Sequence, residues 1–337
     1  MPNDGARPPT SGEREAVAEV RWRPPDGRRL LQLALATVWL IDGVLQLQPS
    51  MFTPGSDGLS AMLGGTAAGN PHAVAQSITW NASIVDHHAV ATNTAFALIQ
   101  ILIGLGIAWR PSVKVALGAS IVWSLGVWWF GEGLGGVLHG AGTPVGGGPG
   151  AVLFYALLAV LLWPTDRDAE TPSFAAARAV GLTAAKAIWA VVWVGMALLA
   201  LIGAGRSPQG IHDVIAAYSG QPGWLTAIDR HAGSLVANRG LTVAVVSAII
   251  FLLVAAGPYL PVTATRVVLV TTIVIATVIW VVGENFGGIL AGGATDPNSG
   301  PPLILLALAY WPVQPKAVPG TDVPGDTAET SLPIEVA

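Results

Sequence analysis

Two glutamates with matching neighbours are the residues of this chain best suited to chemistry. Glu132 follows Trp-Trp-Phe-Gly and precedes Gly-Leu-Gly-Gly, while Glu284 follows Trp-Val-Val-Gly and precedes Asn-Phe-Gly-Gly. Each glutamate closes an apolar run and opens a glycine-rich loop. A carboxylate at membrane depth is costly unless it is protonated, paired or hydrogen-bonded. The motif therefore predicts one of two roles: a ligand, proton or ion site, or a brace that accepts hydrogen bonds from the loop.

The glycines that follow each glutamate predict how close another segment can come. If the helix continues, the glycine pairs Gly135-Gly136 and Gly287-Gly288 lie on the same face as the carboxylate, and another backbone can approach it. The apolar runs after the loops 133–148 and 285–300 are short for spanning helices. We therefore expect both loops to dip back into the protein, forming an outer vestibule with one glutamate from each half.

Three further polar residues interrupt apolar runs in the first half. Asp42 and Gln46 are one helical turn apart, and Gln100 lies in the next run. Asp42 is either a carboxyl group that is hydrogen-bonded inside the helix bundle, or a group that binds a ligand, an ion or a proton. The corresponding positions in the second half are apolar, with Met196 near the Asp42 position. The first half is therefore expected to own any site within the bilayer.

The histidines suggest a second kind of site. All six lie in the predicted outer loops, and Asp86-His87-His88 is the densest cluster, with His139 and His231 in other loops. Imidazole and carboxylate together bind Zn²⁺ or Cu²⁺, so these five residues are the metal-ligand candidates. No His-x-x-x-His or Glu-x-x-His spacing supports them, and polar surface loops are the alternative. No catalytic residue is predicted, because phosphate-loop, dinucleotide and nucleophile-elbow motifs are absent from the sequence.

Composition identifies the class of protein that must position these residues. The chain has 337 residues, 52% of them hydrophobic and 11% charged, with a mean hydropathy of +0.60. A soluble domain has about a quarter charged residues, which excludes that class. The net charge of −4 provides no basic surface for nucleic acid. The absence of cysteine excludes disulfides and thiolate metal sites.

Long apolar runs predict an all-α polytopic membrane protein whose main partner is the lipid bilayer. The runs are continuous rather than alternating, which favours helices over a membrane barrel. We predict eight transmembrane helices near 29–48, 89–109, 113–132, 150–164, 185–204, 241–258, 265–284 and 299–313.

Lysine and arginine predict the orientation. Most of them lie before the first run and in alternate loops, with the loop 205–240 as the exception. The positive-inside rule then places both termini in the cytoplasm of a multi-pass cell-membrane protein. The polar, proline-rich ends, 1–27 and 315–337, are predicted to be disordered cytoplasmic tails.

The two glutamate motifs belong to a longer internal repeat with an offset of roughly 150 residues. Each copy continues with a threonine, a Gly-Pro pair and a Trp-Pro pair: Thr143, Gly148-Pro149 and Trp163-Pro164, then Thr295, Gly300-Pro301 and Trp311-Pro312. We predict two four-helix units, 28–165 and 185–314, joined by a cytoplasmic linker at 166–184. An even number of spans makes this a parallel repeat.

The first unit resembles a known family. Residues 29–46, Arg-Leu-Leu-Gln-Leu-Ala-Leu-Ala-Thr-Val-Trp-Leu-Ile-Asp-Gly-Val-Leu-Gln, are similar to the opening helix of the DoxX-like family. Residues 100–111, Gln-Ile-Leu-Ile-Gly-Leu-Gly-Ile-Ala-Trp-Arg-Pro, are similar to its second helix and following turn. Members are small four-helix membrane proteins, and some are subunits associated with thiol or thiosulfate oxidation coupled to quinone.

The resemblance implies a non-catalytic membrane subunit or binding protein of an envelope redox or stress pathway, with a redox protein as partner. Two alternatives stay open. One is a transporter or channel for a small solute, a metal ion or a proton, using the Glu132 and Glu284 vestibule. The other is a membrane enzyme acting on a lipid or a quinone. A quinone or a divalent metal is the cofactor that these hypotheses would involve.

Overall fold

The computed structural model describes residues 26–165 and 174–313, and throughout these ranges the secondary structure is helical, without a strand. The first part contains α1 (Gly27–Leu45), α2 (Leu59–Gly65), α3 (His72–His87), α4 (Ala89–Ala108), α5 (Val113–Phe130) and α6 (Ala151–Leu161). The second contains α7 (Ala175–Val180), α8 (Leu182–Ile202), α9 (Gly210–Ala216), α10 (Gly223–Val236), α11 (Gly240–Ala255), α12 (Val262–Val278) and α13 (Gly300–Ala309). A single π-helical turn, Ile279–Gly283, extends α12.

Five of these helical segments are long and apolar enough to cross a membrane: Ala89–Ala108, Arg110–Phe130, Leu182–Ile202, Gly240–Tyr259 and Val262–Gly283. Their outward faces carry large exposed apolar side chains such as Val115, Val191 and Leu253, as lipid-facing helices do. The prediction of a helical membrane protein is confirmed at this level. Of the other three predicted spans, α1 carries Arg28, Arg29 and Asp42, and α6 and α13 are shorter apolar helices.

Helix pairing organises the core. α1 packs against α4 and α5 against α6, while α8 packs against α11 and α12 against α13. α6 and α13 meet in the middle, where α13 also contacts α1. Aromatic side chains fill the interior: the rings of Trp39 and Tyr155 meet edge to face at 5.1 Å, and those of Trp189 and Tyr310 lie 4.7 Å apart.

Arginines at the start of α1 tie three helices together at the predicted cytoplasmic end. The Arg29 guanidinium donates to the carbonyls of Ile107, at 2.8 Å, and Ala108. These are orphan acceptors at the C-terminus of α4, where a positive charge is favourable. Arg28 donates to the carbonyl oxygen of Thr165 at 2.9 Å, just beyond α6. The basic flank that predicts orientation therefore also fixes helix ends.

Two pairs of shorter helices lie between the long ones. α2 and α3 follow α1, while α9 and α10 follow α8, and within each pair the helices pack on each other. Both pairs fall in loops predicted to be outside. Within the predicted linker 166–184, α7 and the start of α8 are helical. The rest of that linker (166–173) and nearly all of the two predicted disordered tails lie outside the described residues.

Candidate functional site

The two glutamate motifs fold into left-handed turns. Helix α5 ends at Phe130, and the φ angles of Leu134, Gly135 and Gly136 are 58°, 61° and 69°. After Glu284 the same conformation recurs, with φ angles of 57°, 71° and 78° at residues 286–288. The prediction that these glycines share a helical face with the glutamate is therefore wrong, because the right-handed helix ends before the glutamate.

Packing holds the non-glycine residue of each turn in place. A left-handed conformation costs an L-residue roughly 1–2 kcal/mol, so Leu134 and Phe286 need compensation. Leu134 is buried in an apolar cluster with Val74 and Ile78 of α3. The ring of Phe286 lies 5.0 Å from that of Trp280 and 6.4 Å from that of Trp224 in α10. Each outer helix pair therefore anchors one left-handed turn.

A tryptophan then brings each loop back to the helix that it left. The indole nitrogen of Trp128 donates to the carbonyl of Pro149 at 2.7 Å, and that of Trp280 donates to the carbonyl of Pro297 at 2.7 Å. These bonds match Pro149 with Pro297, whereas the sequence comparison paired Pro149 with Pro301. Both loops thus return to the start of the next short helix, beside the glutamate.

Glu284 acts as a brace in this arrangement. Its side chain is buried with 0% exposure. Oε1 accepts a hydrogen bond from the Ser299 hydroxyl, and Oε2 accepts one from the Gly300 amide at 3.1 Å. Both donors lie at the N-terminus of α13, where a carboxylate satisfies orphan N–H groups and the helix dipole. Both oxygens are therefore engaged.

Glu132 has the equivalent position but uses only one of its oxygens. Oε1 accepts from the Val152 amide at the N-terminus of α6, at 3.4 Å. Oε2 is buried and has no hydrogen-bond partner within the described residues. A Cβ on Gly150 would collide with Oε2, so glycine is what leaves room for this oxygen. The first-half glutamate thus keeps a free acceptor.

A cavity of about 470 Å³, here called the ligand cavity, collects most of the predicted site. Asp42 and Gln46 reach it from α1, Gln100 from α4, and Glu132 from the turn after α5. The rest of its lining is mainly apolar, with Trp39, Phe96 and Trp123 as aromatic walls. Four of the five candidates predicted from sequence therefore meet in one place, and the fifth, Glu284, does not line this cavity.

Several polar atoms of the residues that line the ligand cavity have no hydrogen-bond partner within the described part of the chain. They are Oε1 of Gln46, Oε1 of Gln100, Nε1 of Trp123 and Oε2 of Glu132, all buried. Asp42, 2% exposed, accepts only a long hydrogen bond of 3.5 Å from the Tyr155 hydroxyl. Buried polar groups are normally paired, so this lining is suited to a bound molecule that supplies the missing partners.

The sequence did not indicate Asp296, which enters the ligand cavity from the loop before α13. The Gln48 side-chain amide donates to the Ala294 carbonyl at 2.8 Å and ties this loop to the first half. Burial raises the pKa of Asp296, while hydrogen bonds from the Thr295 hydroxyl and the Asn298 amide act in the opposite direction. The predicted inward dip of 285–300 was the available signal, but it named no residue.

Part of the lining of the ligand cavity reaches the protein surface. Three residues of its lining are exposed on the outer surface of the protein: Met62 by 46%, Val122 by 74% and Phe130 by 37%. Val122 lies near the middle of the apolar segment Arg110–Phe130. The exposed lining residue Val122 therefore lies on the surface of a helix that is long and apolar enough to cross a membrane.

The second half contains large buried apolar side chains. Trp193 and Phe251 are buried with their ring centres 5.6 Å apart. Met196, which the sequence repeat pairs with Asp42, is buried as well.

A second cavity of about 450 Å³, here called the glycine vestibule, lies on the other side of Glu132. One wall is the glycine-rich loop 135–150, and the other comes from the second half, with Ala217, Tyr218, Gly283 and Asn298. Burial raises the pKa of Tyr218 to about 12, and the charge of Glu284 acts in the same direction. Glu132 lines both cavities.

The metal candidates are spread over the surface. Asp86 accepts hydrogen bonds from the Gly55 amide at 2.7 Å and the Ser60 hydroxyl at 2.8 Å, and these bonds lower its pKa. The side chains of His87, His88, His139 and His231 are exposed. Within 26–165 and 174–313, histidine, aspartate and glutamate form no group of three or more that could hold a metal ion. Asp86 instead fastens the loop before α2.

Comparisons with family models, with curated proteins and with solved structures find no match to this chain.

Proposed function

We propose that this protein binds a small amphipathic molecule whose polar head donates hydrogen bonds, and that this molecule enters the ligand cavity from the bilayer. The observation that carries the proposal is a set of buried acceptors, on Gln46, Gln100 and Glu132, that have no partner among the described residues and belong to a mainly apolar lining. Apolar pockets with a few convergent polar groups are typical ligand sites, and this volume suits a molecule of drug size.

Charge narrows the chemical class. Asp42, Glu132 and Asp296 all line the ligand cavity, while lysine, arginine and histidine are absent from its described lining. An anionic head such as that of a fatty acid would be repelled. A neutral donor or a cation would be attracted. Aromatic walls of tryptophan and phenylalanine favour a flat ring, so a quinol, with two hydroxyl donors on a ring, fits best.

The wider architecture is proposed on the same basis. We propose eight membrane helices in two parallel four-helix units, with both termini cytoplasmic in a cell membrane. The recurring left-handed turns, the matching tryptophan bonds to Pro149 and Pro297 and the similar helix pairing in each half support the repeat. In this arrangement both cavities lie toward the outer side of the membrane.

The DoxX-like resemblance gives this binding site a context. A membrane subunit that holds a quinol for a redox partner protein would need an opening toward lipid and a lining with hydrogen-bond acceptors. The exposed lining residue Val122 and the buried acceptors of Gln46 and Gln100 support this role. We therefore propose a binding role in an envelope redox or stress pathway, in which a partner protein supplies the electron-transfer chemistry. The alternative role in moving a proton gains support from the glycine vestibule.

The test compares two ligands that differ in two hydrogen atoms. Decylubiquinol and decylubiquinone are titrated anaerobically into the full chain in lipid nanodiscs, and quenching of the tryptophan fluorescence reports binding. We expect the quinol to bind about tenfold more tightly than the quinone, because its hydroxyls satisfy buried acceptors worth roughly 1–3 kcal/mol each. Dodecanoate should not compete.

A variant links that preference to the site. Gln100→Leu removes one acceptor while keeping a similar volume, and it should reduce the quinol preference more than Glu284→Gln does, since Glu284 lies outside the ligand cavity. Equal affinity for the quinol and the quinone, or no saturable binding of either, would refute the proposal.

A further inference from the structure

We propose that Glu132 carries protons between the ligand cavity and the glycine vestibule. The occupant of the ligand cavity is the donor-bearing molecule proposed above, so this inference rests on that function. It adds a distinct activity, which is proton exchange between a lipid-facing site and the outer aqueous side.

The position of Glu132 carries the inference. It is the one residue common to the described linings of the two cavities. The ligand cavity opens toward lipid beside Val122, whereas the glycine vestibule is lined by loop residues such as Thr143, Tyr218 and Asn298. A carboxyl group that lies between a membrane-facing space and a polar space has a position typical of proton relays.

The two oxygens of Glu132 have different tasks in this scheme. Oε1 is held by the Val152 amide at the N-terminus of α6, which fixes the orientation of the carboxyl group. Oε2 is buried and has no hydrogen-bond partner among the described residues, so in this scheme it is the atom that takes or releases the proton. Gly150 has no Cβ to block it.

Each exchange is an ordinary acid–base step. A hydronium ion in the vestibule loses a proton, an O–H bond forms at Oε2, and water remains. In the ligand cavity the carboxyl O–H bond breaks, the proton joins an ionised hydroxyl oxygen of the bound molecule, and the electron pair of the broken bond stays on the carboxylate. The reverse sequence releases a proton outward. Electrons are not transferred in either direction.

The negative groups around Glu132 favour the uptake of a proton by its carboxylate. Asp42 and Asp296 face the ligand cavity with Glu132, and Glu284 is a further negative neighbour. Among the remaining titratable groups, Tyr155 lies beside Asp42 and Tyr218 lines the vestibule. Crowded carboxylates favour proton uptake by one of their members. The described linings contain no cationic side chain that would hold Glu132 permanently ionised.

Glu284 provides a matched control. It occupies the same position in the second motif and caps the following helix in the same way, but both of its oxygens are engaged and it lines neither cavity. A change confined to the Glu132 variant therefore reports the second carboxylate oxygen rather than the loss of a helix cap.

The experiment uses a fluorescent probe that reports its own proton. A hydroxycoumarin with a decyl chain has a phenol donor, an apolar tail and an emission that depends on ionisation. The full chain in nanodiscs is mixed with the probe, tryptophan is excited so that energy transfer selects bound probe, and the external pH is changed by stopped flow. The relaxation rate of the emission measures proton exchange with the cavity.

The chain contains no cysteine, so single cysteines can be labelled cleanly. Ala217 is exposed and lines the vestibule, while its neighbour Ala216 is exposed but does not line it. In the variants Ala217→Cys and Ala216→Cys, a bulky membrane-impermeant thiol reagent should obstruct the vestibule only in the first. The second controls for the label itself.

We expect Glu132→Gln to slow the relaxation by at least about tenfold, as loss of a general acid–base group does, while Glu284→Gln leaves it unchanged. Labelled Ala217→Cys should also be slow, and labelled Ala216→Cys fast. Probe that binds every variant but relaxes at one common rate would overturn the relay and leave the binding function standing. Absence of probe and decylubiquinol binding in the wild-type chain would overturn both.

Discussion

The two glutamates share a sequence motif but differ in what each carboxylate does. Glu284 uses both oxygens to cap α13, whereas Glu132 caps α6 with one oxygen and leaves the other unpaired. The motif alone left both roles open for both residues. The residues that line each loop decide between them, because Ser299 supplies a hydroxyl to Glu284 where Gly150 leaves a gap beside Glu132.

Alanine and glutamine substitutions should separate these roles. Glu284→Ala leaves the Ser299 hydroxyl and the Gly300 amide buried without an acceptor, so we expect it to lower stability by roughly 1–3 kcal/mol for each donor. Glu284→Gln keeps an acceptor and should be milder. Glu132→Gln should hardly affect stability, because Oε1 can still accept from Val152. Thermal unfolding in mild detergent measures all three.

The expected order of midpoints is Glu132→Gln highest, then Glu284→Gln, then Glu284→Ala. If Glu132→Gln proved as destabilising as Glu284→Ala, Glu132 would be a second brace and its free oxygen would have no special role.

The left-handed turns are the elements that place both glutamates. In each turn the chain leaves a membrane helix, reverses, and returns through a tryptophan–proline hydrogen bond. A Cβ on Gly135 would collide with the Pro149 backbone, and one on Gly287 would lie 2.8 Å from the carbonyl carbon of Pro297. Both glycines also have positive φ angles, so other residues are disfavoured twice.

Gly135→Ala and Gly287→Ala should therefore be among the most destabilising single changes in the chain. The left-handed backbone alone costs alanine roughly 1–2 kcal/mol, and the backbone collision adds to this. Gly293→Ala is the control, because a Cβ there meets nothing within 4 Å. Expression level and thermal unfolding of the three variants give the comparison. Equal stability of all three would show that the turns tolerate a side chain.

The sequence predicted the long helices well and the turns poorly, for a physical reason. An apolar run of membrane length is a local property, and it predicts helices such as α8 and α11 directly. The left-handed turns place Leu134 and Phe286, which are not glycine, at positive φ. Their conformation depends on packing against α3 and α10, and such contacts are not written in the local sequence.

At the scale of the whole molecule, the two halves contribute unequal numbers of residues to the ligand cavity. The polar residues Asp42, Gln46 and Gln100 of the first half could be predicted as one site because they interrupt apolar runs. The contribution of Asp296 could not, since it depends on a loop of the second half that is tied to Gln48. Most of the lining of the ligand cavity therefore comes from the first half, and the second half contributes Thr295 and Asp296.

Membrane topology tests the proposed arrangement of the whole molecule. Reporter fusions after residues 55, 145 and 293 should face the outer side, and fusions after residues 112 and 170 should face the cytoplasm. The reason is the excess of lysine and arginine in the alternate loops. Fusions to either orientation-sensitive reporter, an alkaline phosphatase or a fluorescent protein, give opposite signals as an internal check. A reversed pair of loops would contradict the parallel four-helix units and the outer vestibule.

The proposed entry into the ligand cavity beside Val122 decides which ligand concentration governs binding. In the proposed function, a molecule that reaches Asp42 past Val122 would arrive by lateral diffusion within the leaflet, so occupancy would follow its mole fraction among lipids rather than its molarity in water. Adding empty lipid at constant total ligand dilutes the ligand in two dimensions and unloads the protein. In a cell, the composition of the bilayer itself would then set how full this site is.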